Sequence, residues 1–357
     1  MTAGIQKIPH IHYIHAFRGF AILCIVSAHI GPKTFRLFTE SENPSIAYRV
    51  FFGMYEPLFH DSTLFFSLIS GLLFTLVLAQ KGWHSFFRSK IQNVIFPFIF
   101  ISILFTFFNF SVDSVEIWSG DGFRDFAHKA FQNIYTGGAM FHLWYMPVLA
   151  ILFIATPLLY SLLTHARSNW FIVLIVILPL FFSRTGPGFN WVNSIYFMGA
   201  YAAGMYMGLH LNKTVSLIEN NKLLLRIIAV VTTAILIFMP EVKIEYFGDV
   251  SIKESVFYVQ KMAITAVILV WLKHNEAVLP RWLDVLADYA FAVYFLHIAL
   301  FYSLVYAMSK VIETPLNLGL VVILNIVFLF AVLALCVFIA WLIKKATRRR
   351  SRMIIGA

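Results

Sequence analysis

Residues 317–343 read NLGLVVILNIVFLFAVLALCVFIAWLI, with no charged side chain, and run directly into Lys344-Lys345-Ala346-Thr347-Arg348-Arg349-Arg350-Ser351-Arg352. A helix rises about 1.5 Å per residue, and about 20 apolar residues cross the hydrocarbon of a bilayer. This stretch spans with residues to spare. Its basic end is what a membrane helix keeps on the side where the chain is not translocated.

The rest of the chain has the same character. Of 357 residues, 60% are apolar and only 12% charged, with a mean hydropathy of +0.82. A water-soluble domain carries roughly a quarter charged residues, so there is too little polar surface here to cover a globule. The 38 Phe, 15 Tyr and 8 Trp suit lipid and its interfaces. The composition predicts an all-α, polytopic membrane helix bundle. It excludes soluble enzymes, secreted disulfide scaffolds and nucleic-acid-binding domains as the body of the chain. Cys24 and Cys336 lie far apart in apolar runs and read as small buried hydrophobes.

A 20-residue window gives ten spans, at about 14–31, 58–79, 94–112, 141–163, 170–185, 191–211, 223–240, 255–273, 287–309 and 317–343. The fifth is short and ends in Arg184-Thr185-Gly186-Pro187-Gly188, a tight turn into the sixth. With both termini cytoplasmic, the inner side holds 17 basic and four acidic residues, Lys7 and Arg167 among the basic ones. The outer side holds 10 basic and 13 acidic, so the two sides carry +13 and −3 of the net +10. Positive charge resists translocation, which favours this orientation over its mirror image. The tail at about 344–357 reads as an anchor on anionic lipid rather than a nucleic-acid patch. Arg18 inside the first apolar run, with no small-residue cleavage site, makes that run a retained span rather than a signal peptide. The outer pieces 32–57 and 113–140 are too small for separate domains, so residues 1–357 form one membrane domain.

An ionisable group in hydrocarbon costs at least about 2.5–3.5 kcal/mol, which makes each one a functional candidate. The first span has two, Arg18 and His29. Eleven residues of helix place them within about 20° of one face and roughly 16 Å apart, with Arg18 near the inner boundary. Snorkelling of Arg18 and end-capping by His29 is the plainer alternative. In the second span, His60 and Asp61 open at the depth of His29, where a carboxylate beside an imidazole can set its tautomer. Ser70-Gly71 reads first as small-residue helix packing. The loop Lys81-Gly82-Trp83-His84-Ser85-Phe86-Phe87-Arg88-Ser89-Lys90, before Pro97, suits either topology or a polyanionic ligand. His142-Leu143-Trp144-Tyr145-Met146-Pro147 opens the fourth span on the outer side, and Tyr294-Phe295-Leu296-His297 places an imidazole mid-span in the ninth. The histidines have no recognisable metal-ligand spacing, so no metal is expected.

These segments together resemble the acyltransferase family 3 membrane proteins. Arg18 through His29 resembles that family's first-helix Arg and His, ten residues between them. Phe65-Phe66-Ser67-Leu68-Ile69-Ser70-Gly71 is similar to its FFxxSG segment, and Phe86 to Pro97 to its basic loop. His142 to Pro147 is similar to its HLWFLP-like stretch and Tyr294 to His297 to its late YxLH. The five occur in order over about residues 16 to 300. The resemblance implies a bacterial inner-membrane enzyme that takes an acyl group, usually acetyl, from cytoplasmic acyl-CoA. It would deliver that group to a sugar hydroxyl of a surface glycan such as lipopolysaccharide O-antigen, on the periplasmic side. It implies that His29 carries the transfer, with Asp61 or His60 orienting it. Arg18, Arg88 and Lys90 would then serve acetyl-CoA, and His142, Trp144, Tyr294 and His297 the acceptor. One departure is Lys90-Ile91-Gln92-Asn93 where the family often has Arg-x-x-Arg, leaving Arg88 to compensate. With no appended hydrolase-like domain in these residues, a stand-alone transferase is expected.

General-base catalysis by His29 and a transient acyl-imidazole are both compatible with the sequence. A transporter of a glycan or lipid-linked intermediate, with a proton-coupled His/Arg pathway, is the competing class. It would ordinarily show paired halves with matching broken helices, and no such symmetry is visible. A receptor or scaffold would not need polar groups along one helix face.

Overall fold

The first apolar run forms one helix, α1 (His12–Phe38), which reaches further than the expected 14–31. The computed structural model describes residues 11–39, 46–112, 120–165, 169–184, 189–242, 246–247, 250–312 and 315–357. Lys7, Arg167 and the turn at 185–188 lie outside the described residues.

The second span departs from expectation at its start. Instead of a loop to residue 57, the chain is helical in α2 (Ile46–Phe59), turns at His60–Ser62 and resumes in α3 (Thr63–Leu73). Asp61 adopts φ 56°, which a right-handed helix cannot continue through. Lys261, on a distant helix, donates from Nζ to the carbonyls of Pro57 (2.9 Å) and Leu58 (3.0 Å). It thereby satisfies acceptors that a helix end leaves open.

After α3 a π-helical turn (Phe74–Leu78) leads to the short α4 (Trp83–Lys90), a second π turn (Ile91–Ile95) and α5 (Phe96–Val112). The expected outer piece 113–140 contains a helix, α6 (Gly120–Thr136), tied to α5 by a bond from Asn133 Nδ2 to Thr106 Oγ1 (2.9 Å). Then come α7 (Tyr145–Thr164), α8 (Asn169–Ile177), α9 (Trp191–Leu209), α10 (Leu211–Asn220) and α11 (Lys222–Val242). A two-residue ribbon, Tyr246–Phe247 with Val250–Ser251, precedes α12 (Ile252–His274). The chain ends in α13 (Arg281–Asp288), α14 (Ala290–Met308), α15 (Leu318–Thr347) and α16 (Ser351–Ile355).

Among the described residues, eight helices are long and apolar enough to cross a membrane. The other two expected spans are helical as well. One is the short apolar stretch Trp170–Leu180, and the other is α9, where glycines and tyrosines replace part of the aliphatic content. The protein is an all-α polytopic bundle.

Two packing features position the site. The first is α1 itself, wrapped by α2, α3, α12, α13, α14 and α15. Ala16, Phe17, Ala21, Ile22, Val26 and Ile30, on different sides of this helix, are all 0% exposed. A helix that is apolar nearly all round belongs inside a bundle. The second is the contact of α3 with α9. A Cβ at Gly204 would meet the Leu68 carbonyl oxygen at 1.9 Å, and one at Gly71 would meet that of Tyr201 at 2.0 Å. The two backbones touch, as small residues allow in a membrane. Across the same contact, Ser67 Oγ donates to Phe197 O (2.8 Å) and Thr75 Oγ1 to Met205 O (3.1 Å).

The basic tail has more structure than its sequence suggests. Exposed Lys344 and Lys345 end α15 as anticipated, but the chain reverses at Arg348 and α16 packs against α5 and the Ile91–Ile95 turn. Ser351 and Ile355 are each 1% exposed. The last residues are therefore packed on the bundle, with Arg348, Arg350 and Arg352 left exposed.

Gly204→Leu should prevent α3 and α9 from closing, giving loss of monodisperse protein in detergent. Gly53→Ala, where an added Cβ meets nothing within 4 Å, should leave the melting temperature within about 2 °C. A well-folded Gly204→Leu protein would contradict the backbone contact.

Candidate functional site

A cavity of about 230 Å³ opens where the His29 end of α1 meets the α2–α3 break, the segment before α7 and the segment after α8. Its wall includes Ile25 and His29, His60 and Asp61, His142 and Trp144, and Arg184. Five of the sequence-predicted residues thus converge from three separate stretches of chain. The volume suits the reacting end of a substrate rather than a whole glycan.

The His29 ring lies among aromatic neighbours. Its centroid is 5.3 Å from Phe141, 5.4 Å from His297 and 6.3 Å from His142, and the last two are 4.7 Å apart. His297 Nδ1 is 3.0 Å from the Val293 carbonyl and 2.8 Å from that of Tyr294. A carbonyl only accepts, so Nδ1 carries the hydrogen and Nε2 of the neutral ring keeps its lone pair. That Nε2, and both ring nitrogens of His142, make no hydrogen bond although buried. Unpaired buried polar atoms are costly and few in folded proteins. Three such atoms lie beside His29, and the two on His142 belong to a residue of the cavity wall.

Tyr294 and His297, expected to touch the acceptor, occupy a different position. The Tyr294 hydroxyl donates to the main-chain oxygen of His142, and His297 lies outside the cavity lining. Both support the wall from behind. Above His29, Lys33 Nζ donates to Tyr302 Oη (2.8 Å) and sits 3.9 Å from the centre of the Phe141 ring.

His60 and Asp61, expected to orient His29, are committed elsewhere. Asp61 Oδ1 is 3.0 Å from Arg184 Nη1, and the Tyr196 hydroxyl donates to Oδ2 at 2.9 Å. Arg184 Nε stands 3.6 Å from Glu254 Oε2, and its Nη2 donates to His60 Nε2 at 3.2 Å. A guanidinium has no lone pair to offer, so His60 is the acceptor and holds its own hydrogen on Nδ1. The Ser251 side chain caps α12 by accepting the Glu254 N–H (3.3 Å), which fixes the Glu254 backbone. His60, Asp61 and Glu254 present oxygen and nitrogen atoms within 4.8 Å of one another, a spacing a metal ion could use. The Arg184 guanidinium contacts all three, so an organic cation supplies the countercharge of the two carboxylates.

Arg184 as a charge partner, Glu254, Tyr196 and Lys261 were not singled out by the sequence. Lys261 could have been, because a lysine inside the apolar stretch 255–273 meets the same criterion as Arg18.

At the other end of α1, Arg18 lies 5.4 Å over the Phe291 ring, within electrostatic reach of Lys90. Lys90 sits 4.5 Å from the Phe153 ring centre, and Arg88 is exposed. Phe291 and His297 are both on α14, so Arg18 and His29 face one neighbouring helix as their spacing requires. Arg18 is not part of the cavity wall, which descends α1 only to Ile25. Ala21 and Ile22 between them are fully buried. The stretch of α1 between Arg18 and the cavity is thus apolar and packed at these positions.

A family model described as an acyltransferase domain matches residues 11–345, which include every candidate residue named above. No curated protein and no solved structure matches the chain.

Arg184→Met would leave Asp61 and Glu254 buried without a counter-ion, a loss of about 3–5 kcal/mol. Its melting temperature should fall sharply in detergent. Adding Asp61→Asn to that variant should recover part of the loss, because one stranded charge is gone. Equal destabilisation in the single and double variants would contradict the pairing.

Proposed function

The chain belongs to the acyltransferase family 3, and on that premise we propose that this membrane acyltransferase moves an acetyl group from acetyl-CoA to a sugar hydroxyl. The acceptor is a bacterial surface glycan, lipopolysaccharide O-antigen in the first instance, and the membrane is the bacterial cytoplasmic one. The observation that carries this reading is the place of His29. It is an imidazole on the wall of a cavity at one end of the central helix, whose other end carries Arg18 beside Lys90. On this reading the donor nucleotide binds at the Arg18 end, the end that the distribution of basic residues favours as cytoplasmic. Its acyl end reaches His29 by displacing the apolar packing around Ala21 and Ile22. Acceptor enters at the His29 end.

The chemistry needs few parts. A neutral His29 removes the proton from the sugar hydroxyl as its oxygen attacks the thioester carbonyl carbon. The new C–O bond forms and the C–S bond breaks. The departing thiolate takes the proton that His29 has accepted, which leaves the imidazole neutral for the next cycle. His142, on the same wall with both ring nitrogens uncommitted, is placed to donate an N–H to the carbonyl oxygen as charge develops on it. Trp144 offers an apolar ring face to a sugar. The Asp61–Arg184–Glu254 cluster keeps the α2–α3 break in register with α12, so it shapes the cavity without joining the reaction.

In nanodiscs, His29→Gln should lower acetyl transfer to the glycan by roughly 10²–10⁴-fold, the contribution of a positioned base. Its melting temperature should stay close to that of the unmodified protein. Acetylation retained within a factor of a few would overturn the assignment.

A further inference from the structure

We propose that the returning C-terminal segment is a phosphate-binding rim for the nucleotide part of the acyl donor, with Arg348, Arg350 and Arg352 as its cations. The proposal rests on the reading that an acyl-CoA arrives at the Arg18 end.

The first observation is the turn. Arg348 has φ 51° and ψ −120°, and it is one of two non-glycine residues with positive φ among the described residues. The other, Asp61, belongs to the cavity at the opposite end. Such a backbone is disfavoured for a residue with a side chain and persists only where the surroundings enforce it. Here Ser351 Oγ reaches the main-chain oxygens of Arg348 (2.7 Å) and Ala357 (2.6 Å), and Ile355 is buried behind the turn. A basic anchor on lipid needs no such fold.

The second observation is where the fold leads. α16 packs on the Ile91–Ile95 turn, α5 and α14. Gly356 lies against Phe291, whose ring carries the Arg18 guanidinium, and against the carbonyl of Asn93, three residues beyond Lys90. Arg348 and Arg350 therefore precede, and Arg352 lies within, a segment seated on the corner that holds Arg18 and Lys90.

The third is charge. Arg348, Arg350 and Arg352 are exposed, and no carboxylate lies within ion-pair distance of them among the described residues. Asp284 and Asp288, at the same end, are engaged by His12 (3.0 Å) and His15 (3.4 Å). Three exposed cations so close in sequence, without counter-ions, repel, so a polyanion stabilises the arrangement. Guanidinium groups suit phosphate because they bind it with two parallel hydrogen bonds. A nucleotide 3′-phosphate and pyrophosphate offer that chemistry, as does a lipid headgroup phosphate.

The test compares two donors in nanodiscs of zwitterionic lipid, acetyl-CoA and S-acetylpantetheine, which lacks every phosphate. In the triple variant Arg348→Gln, Arg350→Gln, Arg352→Gln, KM for acetyl-CoA should rise by roughly tenfold or more. KM and kcat for S-acetylpantetheine should not move, and the triple Arg→Lys variant should restore part of the acetyl-CoA affinity. Binding of adenosine 3′,5′-bisphosphate, measured by calorimetry, should weaken in parallel. An unchanged preference for acetyl-CoA would overturn the proposal. So would an equal change for both donors that is reproduced by adding or withholding anionic lipid, since the arginines would then serve the bilayer. If the unmodified protein transfers from neither donor, the functional reading fails, and bisphosphate binding alone decides the rim.

Discussion

α1 carries a guanidinium and an imidazole through a layer of hydrocarbon that tolerates neither, and it can do so because six helices enclose it. Enclosure replaces lipid with protein on nearly every side of the helix. The two polar groups then face positions on α14 and not fatty acyl chains: Phe291 under Arg18 and His297 behind His29. Polar side chains at membrane depth are tolerated where they meet protein or a cavity. Both ends of the proposed reaction depend on this, since His29 borders a cavity only because its neighbours keep lipid away.

The enclosure is held by contacts that differ in kind. The glycines of α3 and α9 bring backbones together where no side chain fits. At the cavity, two carboxylates, one guanidinium and a tyrosine hydroxyl join segments from α2–α3, α8, α9 and α12. Buried ion clusters of this kind add little net stability over apolar packing, but they enforce geometry, because breaking one partner strands the rest. Lys261 does comparable work on the backbone by satisfying the carbonyls at the end of α2. The break it stabilises is what turns Asp61 towards Arg184.

Much of this was legible in the sequence. Apart from the end of α1 and the start of the second span, the apolar runs located the membrane helices within a few residues, and the eleven-residue spacing placed Arg18 and His29 on one face. Those features are local, set by hydropathy and helical period. What the sequence did not disclose depends on distant partners. Asp61 and Arg184 are separated by more than a hundred residues, so nothing near either one announces the pair or displaces Asp61 from the role of orienting His29. Tyr294 reads as a substrate contact only through the resemblance of Tyr294–His297 to the family's YxLH stretch, and its hydroxyl is taken by the main chain of His142. Helix α2 and the return of the tail were missed for a related reason. Short polar or basic stretches read as loops until the surface they pack against is known.

The most direct measurement of transfer through this helix places donor and acceptor on opposite sides of a sealed membrane. Proteoliposomes with uniformly oriented protein would receive labelled acetyl-CoA on the Arg18 side, with the acceptor glycan confined to the His29 side. Labelled glycan should accumulate behind the membrane in the unmodified protein, and no label should cross with His29→Gln. Label reaching the glycan only when both substrates share one compartment would contradict a route along α1.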